Sequence, residues 1–322
     1  MAKQEGLRNV KTKKPWRWWI GLLILGLLLS IPGWASQYTI LVFTLFGLYL
    51  ALAQMWNLLA GYTGLISLGQ QIFIGVGAYT LAVMTLYFNW PIWLSILAGG
   101  VICAGLALLL SIPLFRMSGV YFAIGSWIVA ETLMIWFSNW AYTKKGMGLF
   151  IKAAYTVSIN QVYYASITMG VFSIALVYVL LKTKLGLALM AMRDDVGAAE
   201  GVGINSFMAK LWCFLIASFV TGITAGILYL NQVFVQPYSA FGIEWTVRLC
   251  FIVIIGGIGT IEGPIIGALI FVLLQQYLAE YASISLILLG SISVVVMLAF
   301  PKGLVGTIQD RLGFEMLSPR RS

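Results

Sequence analysis

The chain alternates long apolar runs with short polar or Pro/Gly breaks along almost its whole length. The runs fall at roughly 16–35, 38–59, 63–87, 91–114, 119–140, 162–181, 207–232, 244–258, 262–280 and 284–300. Most approach the ~20 residues that carry a helix across a ~30 Å hydrocarbon core. The breaks include Ser36-Gln37, Gly61-Tyr62, Asn89-Trp90-Pro91, Arg116-Met117-Ser118-Gly119, Gln236-Pro237-Tyr238 and Gly259-Thr260-Ile261-Glu262-Gly263-Pro264, and only 141–161 and 182–206 are long. Strands of a membrane barrel would read as ~10-residue alternating segments, and none are visible. The pattern predicts an all-α polytopic helical membrane protein with about ten transmembrane helices, in the range 8–10. Three runs are the weakest as simple spans. The run 244–258 is short, and Gly and polar residues in 63–87 and 119–140 could break a helix, as happens where a bundle lines a pathway.

Composition agrees with the pattern. The 322 residues are 61% hydrophobic and 9% charged, against ~25% charged in soluble domains. The net charge is +9, and its placement says more than its size. Lys3, Arg8, Lys11, Lys13, Lys14 and Arg17 precede or open the first run. Basic residues beside a hydrophobic segment mark the cytoplasmic side, so nucleic-acid binding is the wrong inference. With the N-terminus inside, ten spans place Arg116, the stretch 182–210 and the C-terminal tail in the cytoplasm, fifteen of the nineteen basic residues in all. Lys144, Lys145 and Lys152 fall outside, and Arg248 falls within a span. The first run has some features of a signal peptide, but its long basic region and Trp16, Trp18 and Trp19 favour an uncleaved span with an interfacial aromatic belt. The expected organisation is a basic cytoplasmic segment 1–15, one transmembrane domain 16–306 with a cytoplasmic segment 182–206, and a cytoplasmic tail 307–322.

The segment 182–210 is a polar island. It holds Ala191-Met192-Arg193-Asp194-Asp195-Val196-Gly197-Ala198-Ala199-Glu200-Gly201-Val202-Gly203-Ile204. As one helix over Met190–Gly203, it would align Met192, Val196, Ala199 and Gly203 on one stripe, with Arg193, Asp194, Asp195 and Glu200 away from it. Small residues suit insertion into a partner's cleft, and the charges would fix orientation. On these residues alone, a docking helix and an ordinary solvated loop stand equal.

Polar groups also lie within the spans. Gln54 and Asn57 sit in the second; Ser67, Gln70 and Gln71 in the third; Glu131 in the fifth; Glu244 and Arg248, spaced i, i+4, in the eighth. Such groups are costly in a bilayer and face the bundle interior. Gln70, Gln71 and Glu131 are candidates to line a solute path, although for any single one of the polar residues interhelical hydrogen bonding is the better account. Glu244 and Arg248 read as a gate or as a structural ion pair. Gly222-x-x-x-Gly226 and Gly259-x-x-x-Gly263-x-x-x-Gly267 are helix-packing signals. Catalysis is excluded on several grounds. The chain has no histidine, and Cys103, Cys213 and Cys250 each stand alone in an apolar run, so no triad, metal site or disulfide framework can be drawn. No G-x-x-x-x-G-K-[ST] phosphate loop occurs, so the chain cannot hydrolyse ATP by that chemistry. No series of intramembrane carboxylates and histidines suggests a proton pump.

Five motifs in order resemble a known family, the permeases of branched-chain amino acid ABC transporters, and more narrowly their M-type membrane subunit. These are Gly61-Tyr62-Thr63-Gly64-Leu65-Ile66-Ser67-Leu68-Gly69-Gln70 with Gly75-Val76-Gly77-Ala78-Tyr79; Gly119-Val120-Tyr121-Phe122-Ala123 with Glu131; Arg193-Asp194-Asp195 with Ala198-Ala199 and Gly203-Ile204-Asn205; Gly256-Gly257-Ile258-Gly259-Thr260 with Gly263-Pro264 and Gly267-Ala268; and Pro301-Lys302-Gly303-Leu304-Val305-Gly306. The likeness runs from about residue 56 to 306. It implies an importer subunit in the inner membrane of a bacterial or archaeal cell. The implied partners are a homologous second permease, two ABC ATPase subunits, a periplasmic or lipid-anchored solute-binding protein, and membrane lipid. No cofactor would be bound by this chain, with ATP held on the partner ATPases. Arg193, Asp194, Asp195, Ala198, Ala199 and Gly203 would form the ATPase coupling segment. Two features depart from the family pattern: Thr143-Lys144-Lys145-Gly146-Met147-Gly148 replaces a glycine-rich stretch, and Glu244 and Arg248 stand where apolar or hydroxyl residues are expected. Related permeases move urea or short amides, so the solute stays open between these and branched-chain amino acids. The rival of a different class is an ATP-independent secondary transporter or channel.

Overall fold

The computed structural model describes residues 26–278 and 303–312, with isolated positions between 287 and 300. Both termini, the start of the first expected span and about half of the tenth lie outside the described residues. Among the described residues, six helical stretches are long and apolar enough to cross a membrane, counting Pro237–Gly256 as one although a turn at 241–243 divides it, and two shorter apolar helices accompany them.

The helices begin where the local chemistry allows. α1 (Gln37–Asn57) starts at Ser36, whose hydroxyl accepts the Thr39 N–H at 3.3 Å. It runs into a π turn, Leu58–Tyr62. α2 covers Gln71–Tyr87, and α3 covers Ile92–Leu114 behind Pro91. α4 (Val120–Asn139) follows Gly119, which adopts φ 53° in the turn. A short strand β1 (Leu149–Phe150) precedes α5 (Ile159–Leu181), which opens on a reciprocal Ser158–Gln161 capping box. The island folds as α6 (Lys184–Asp194) and α7 (Val196–Gly201). α8 (Ser206–Gln232) is capped by Asn205 and is the longest helix described. β2 (Phe234–Val235) pairs antiparallel with β1, Leu149 opposite Val235. Then come α9 (Pro237–Ala240), α10 (Glu244–Gly256), α11 (Gly263–Tyr277) and α12 (Gly303–Leu312).

Two of the expected spans are interrupted. In 63–87 the helix starts only at Gln71, and residues 63–70 are irregular yet largely buried. Gly64 there adopts φ +73°, a conformation costly for any residue with a Cβ. In 244–258 the helix has 13 residues, about 20 Å at 1.5 Å per residue, and cannot cross ~30 Å alone. The short α9 and a turn precede it. By contrast 119–140, the other run suspected of breaking, is a single helix. The β1–β2 pair was not legible in the apolar pattern.

α8 is the hub, packing on α2, α3, α1 and α5. Apolar burial gives little drive between helices in lipid, so close backbone approach has to supply van der Waals contact instead. A Cβ on Gly77 of α2 would overlap the Gly222 carbonyl of α8, and one on Gly267 of α11 would overlap the Ile252 carbonyl of α10. Gly222 and Gly267 belong to the two glycine repeats seen in the sequence.

Contacts also define the two ends of the bundle. Phe115, after α3, meets Phe207 at the start of α8, so Arg116 and the island share one end. Tyr87 meets Tyr142 and the Tyr38 hydroxyl donates to Gln276 at 3.1 Å, placing the end of α2, the 141–157 connection, the start of α1 and the end of α11 at the other.

Candidate functional site

The island is two helices set against the bundle end, not one. Asp195 breaks the expected helix over Met190–Gly203 with φ −155° and ψ 115°, and its carboxylate accepts the Ala198 N–H at 3.0 Å. A short acidic side chain competes for local backbone donors and prefers such a cap to a helix interior. The break divides the expected stripe. Met192 and Ala199 are buried, while Val196 and Gly203 are exposed. Arg193, Asp194, Asp195 and Ala198 are also exposed. Gly203 turns the chain with φ +89°, and the Ser206 hydroxyl donates to the Glu200 carboxylate, tying α7 to the start of α8. α6 packs on α5, on α8 and on the π turn at 58–62. Leu187 and Val202 add exposed apolar groups to this surface, and attention to charge alone overlooks them.

Gln70 and Gln71 stand where the interrupted third span resumes, and both are wholly buried. The Gln70 amide donates to the Thr221 hydroxyl of α8 at 2.7 Å. The Thr246 hydroxyl of α10 donates to Gln71 Oε1. The starts of two interrupted spans, 17 and 13 residues long, thus meet at the Gln71–Thr246 contact. Gln70 Oε1 and Gln71 Nε2 have no hydrogen-bond partner among the described residues, an expensive state for buried amide atoms. Nothing in the sequence pairs these glutamines with Thr221 and Thr246, which lie 151 and 175 residues away.

Gln54 and Asn57 turn inward as a latch. Asn57 donates to the Thr260 carbonyl at 2.8 Å and accepts the Gly259 N–H at 2.7 Å, and Gln54 donates to the Ile261 carbonyl at 2.7 Å. They hold the turn between α10 and α11 against α1. Glu131 is not with the glutamines. It lies on the outward side of α4, partly exposed, and accepts the Trp127 indole N–H at 2.9 Å. The three path candidates therefore do not converge on one cavity.

Glu244 and Arg248 do form a site. They line a cleft of about 360 Å³ at the end of the bundle opposite the island, together with Tyr229, Trp245 and polar residues of 232–239. Their ion pair spans 3.4 Å, with the Glu244 side chain 59% exposed and that of Arg248 25% exposed. Arg248 also donates to the Tyr49 hydroxyl at 3.3 Å and stacks over Trp245, 5.2 Å from its ring centre.

Buried amides where two interrupted spans meet, an exposed two-helix segment at one end and a charged cleft at the other describe a multi-pass membrane transport protein. Residues 38–301 match the family described as the branched-chain amino acid transport system / permease component, and the chain belongs to that family. It is 26% identical to the high-affinity branched-chain amino acid transport system permease protein LivM of Escherichia coli (strain K12), over 97% of this chain and 82% of that protein. It is 25% identical to LivM of Salmonella typhimurium, over 90% of this chain and 76% of the relative. A Methanocaldococcus jannaschii permease designated LivH is 28% identical over 43% of this chain and 46% of its own length. No solved structure matches the chain.

Proposed function

We propose that this chain is the subunit of an inner-membrane ABC importer that carries branched-chain amino acids, and that it is driven through the segment 182–206. The observation that carries the reading is the island itself. It presents Arg193, Asp194, Asp195 and Ala198 to water on two short helices anchored by Met192 and Ala199. Charged groups exposed at that end are placed to engage a soluble partner. Arg116, Lys182, Lys184, Arg193 and Lys210 lie at the island end, which by the bias of basic residues is the cytoplasmic one. The Glu244–Arg248 cleft then opens to the outside. The names of the relatives point to branched-chain amino acids, and a likeness to both LivM and LivH proteins fits pairing with a homologous second permease. Two ATPases would dock at the islands of the pair and hold the ATP, and a binding protein would deliver solute to the outer face. The chain itself contributes no ATP chemistry and no cofactor. Selectivity would rest mainly with the binding protein, so Gln70, Gln71 and Glu131 need make only weak contacts as the path opens.

The test is affinity purification of the tagged chain from its native membrane in mild detergent, followed by uptake of labelled leucine, isoleucine, valine and urea in vesicles of the recovered complex. Two phosphate-loop ATPases, a second permease and ATP-dependent uptake of the amino acids are expected. A chain recovered without ATPase even after cross-linking, with uptake that follows an ion gradient, would make it a secondary transporter or channel. Uptake of urea alone would keep the mechanism and change the solute.

A further inference from the structure

We infer that the outer cleft is an acceptance site for an α-amino acid, in which the Glu244–Arg248 pair opens to take the solute's ammonium and carboxylate. The inference rests on the amino-acid reading of the preceding section and adds a location and a chemistry to it.

The geometry gives three reasons. First, the pair is held loosely. Its 3.4 Å separation and the 3.3 Å contact of Arg248 with Tyr49 are long beside the ~2.7–2.9 Å of a tight charge-assisted bond. A guanidinium has five N–H donors, and two are engaged here among the described residues. A partly exposed pair contributes little to stability, so exchanging it for solute charges costs little. Second, the two charges are placed for a zwitterion. The ammonium and carboxylate of an α-amino acid sit on one carbon, so their receptors must lie side by side, as the i, i+4 positions of one helix do. Third, the walls are firm and partly apolar. The Trp245 indole is fixed by donating to the Ser239 carbonyl at 2.7 Å and lies 6.5 Å from the Tyr229 ring. The volume of about 360 Å³ is at the small end of the range for small-molecule pockets. A purely structural pair has no need of such a cleft.

The experiment is equilibrium binding of radiolabelled L-leucine to the full-length chain in lipid nanodiscs, with L-leucinamide and 4-methylpentanoate as competitors that each lack one charge. Thermal stability is read in parallel for every variant. Saturable binding is expected, weakened on the order of tenfold or more in Glu244→Gln and in Arg248→Gln. In Glu244→Gln, 4-methylpentanoate should compete as well as leucine; in Arg248→Gln, leucinamide should. Arg248→Lys keeps the charge and loses the fork geometry; it should bind weakly and carries the test if the glutamine variant does not fold. The exchange Glu244→Arg with Arg248→Glu keeps an ion pair on the same turn but reverses it, and should leave thermal stability near that of the natural chain without restoring binding. Absence of saturable leucine binding by the natural chain, binding unchanged in both single variants, or binding restored by the exchange would each overturn the site. ATP-driven leucine uptake by the complete transporter separates the two readings. Uptake that persists unchanged in both glutamine variants overturns the cleft alone, whereas no amino-acid uptake by the natural complex overturns both.

Discussion

Asn57 offers a direct test of how the bundle is held together. Its side chain bonds two backbone groups of the turn between α10 and α11, the Thr260 carbonyl and the Gly259 N–H. All of this is buried. Asn57→Ala leaves both backbone groups without a partner. A buried orphaned group costs about 1–3 kcal/mol, so the pair sets a range of roughly 2–6 kcal/mol. Interhelical side-chain bonds in membrane proteins average only about 0.6 kcal/mol, because the groups find other partners once separated. Here the lost partners belong to a turn fixed by Gly257 at φ 125° and Gly259 at φ 69°, and they cannot swing to new ones. A water entering the alanine cavity would recover part of the loss. The expected cost is therefore about 2–4 kcal/mol. Asn57→Leu keeps the volume and removes the bonds, so it separates hydrogen bonding from cavity formation. Both variants should lose similar stability in equilibrium SDS unfolding of the purified full chain, followed by circular dichroism. If Leu restores stability while Ala does not, packing rather than hydrogen bonding holds the turn. If both lie within about 0.5 kcal/mol of the natural chain, as ordinary surface substitutions do, the latch reasoning is wrong.

Three further predictions follow from single contacts. Gly267→Ala drives a methyl into the Ile252 carbonyl and should strongly lower the melting temperature, whereas Gly105→Ala meets nothing within 4 Å on an exposed helix face and should be neutral or stabilise by up to about 1 kcal/mol; a melting curve that ranks them the other way refutes the packing account. Replacing Arg193 and Asp194 together by alanine should abolish ATPase association and ATP-driven uptake, yet leave melting and membrane insertion unchanged, since both side chains are exposed; retained ATPase in a pull-down counts against docking there. Gln71→Leu should cost no more than about 1 kcal/mol, because the freed Thr246 hydroxyl can turn back to its own helix, so a large fall in uptake would mark Gln71 as part of the path and unchanged uptake would remove it.

The helix content was legible because lipid enforces it: an apolar run of ~20 residues can satisfy its backbone only as a helix or within a barrel. A break somewhere in 63–87 was suspected from its Gly and polar residues, but its place at 63–70 was not, since Gln71, Gly75 and Gly77 of the same run are helical. The break at Asp195 was missed, because the apolar period runs through it and only the capping habit of a short carboxylate argues for a stop. The polar constellations were half visible. Gln54, Asn57, Gln70 and Gln71 could be singled out as costly in lipid, but their partners are backbone groups and hydroxyls more than 150 residues away, and no local pattern encodes such pairings. The Glu244–Arg248 cleft has the same character. Glu244 and Arg248 are neighbours on one helix and could be paired from spacing alone, whereas Tyr49 and Tyr229 join them only through the fold.

The packing also bears on which part of the bundle could move. α8 meets α2 at Gly77–Gly222 and α10 meets α11 at Gly267–Ile252, both at backbone contact, and the latch joins α1 to the α10–α11 turn. Close-packed interfaces of this kind shift as units and do not deform gradually. α4 is held differently. Near the island end it meets the irregular segment at Gly69 and Ser126, where the Leu68 N–H donates to the Ser126 hydroxyl at 3.1 Å; at the other end Phe137 packs on Tyr79 and Phe241. Only Phe122, Ser126, Ala130 and Phe137 of its 20 residues are buried. It carries Glu131, and a carboxylate near the bilayer centre costs about 2.5–3.5 kcal/mol on insertion scales. That face of α4 therefore calls for protein or water, as the wall of a path shared with a second permease would provide. The segment 182–206 is joined to it by continuous contact, from α6 to the π turn at 58–62, from there along 63–70, and from Leu68 and Gly69 to Ser126. On the proposed reading, a push on α6 from an ATPase would reach α4 through this largely buried, non-helical stretch, while the glycine-packed core around α8 stays in register.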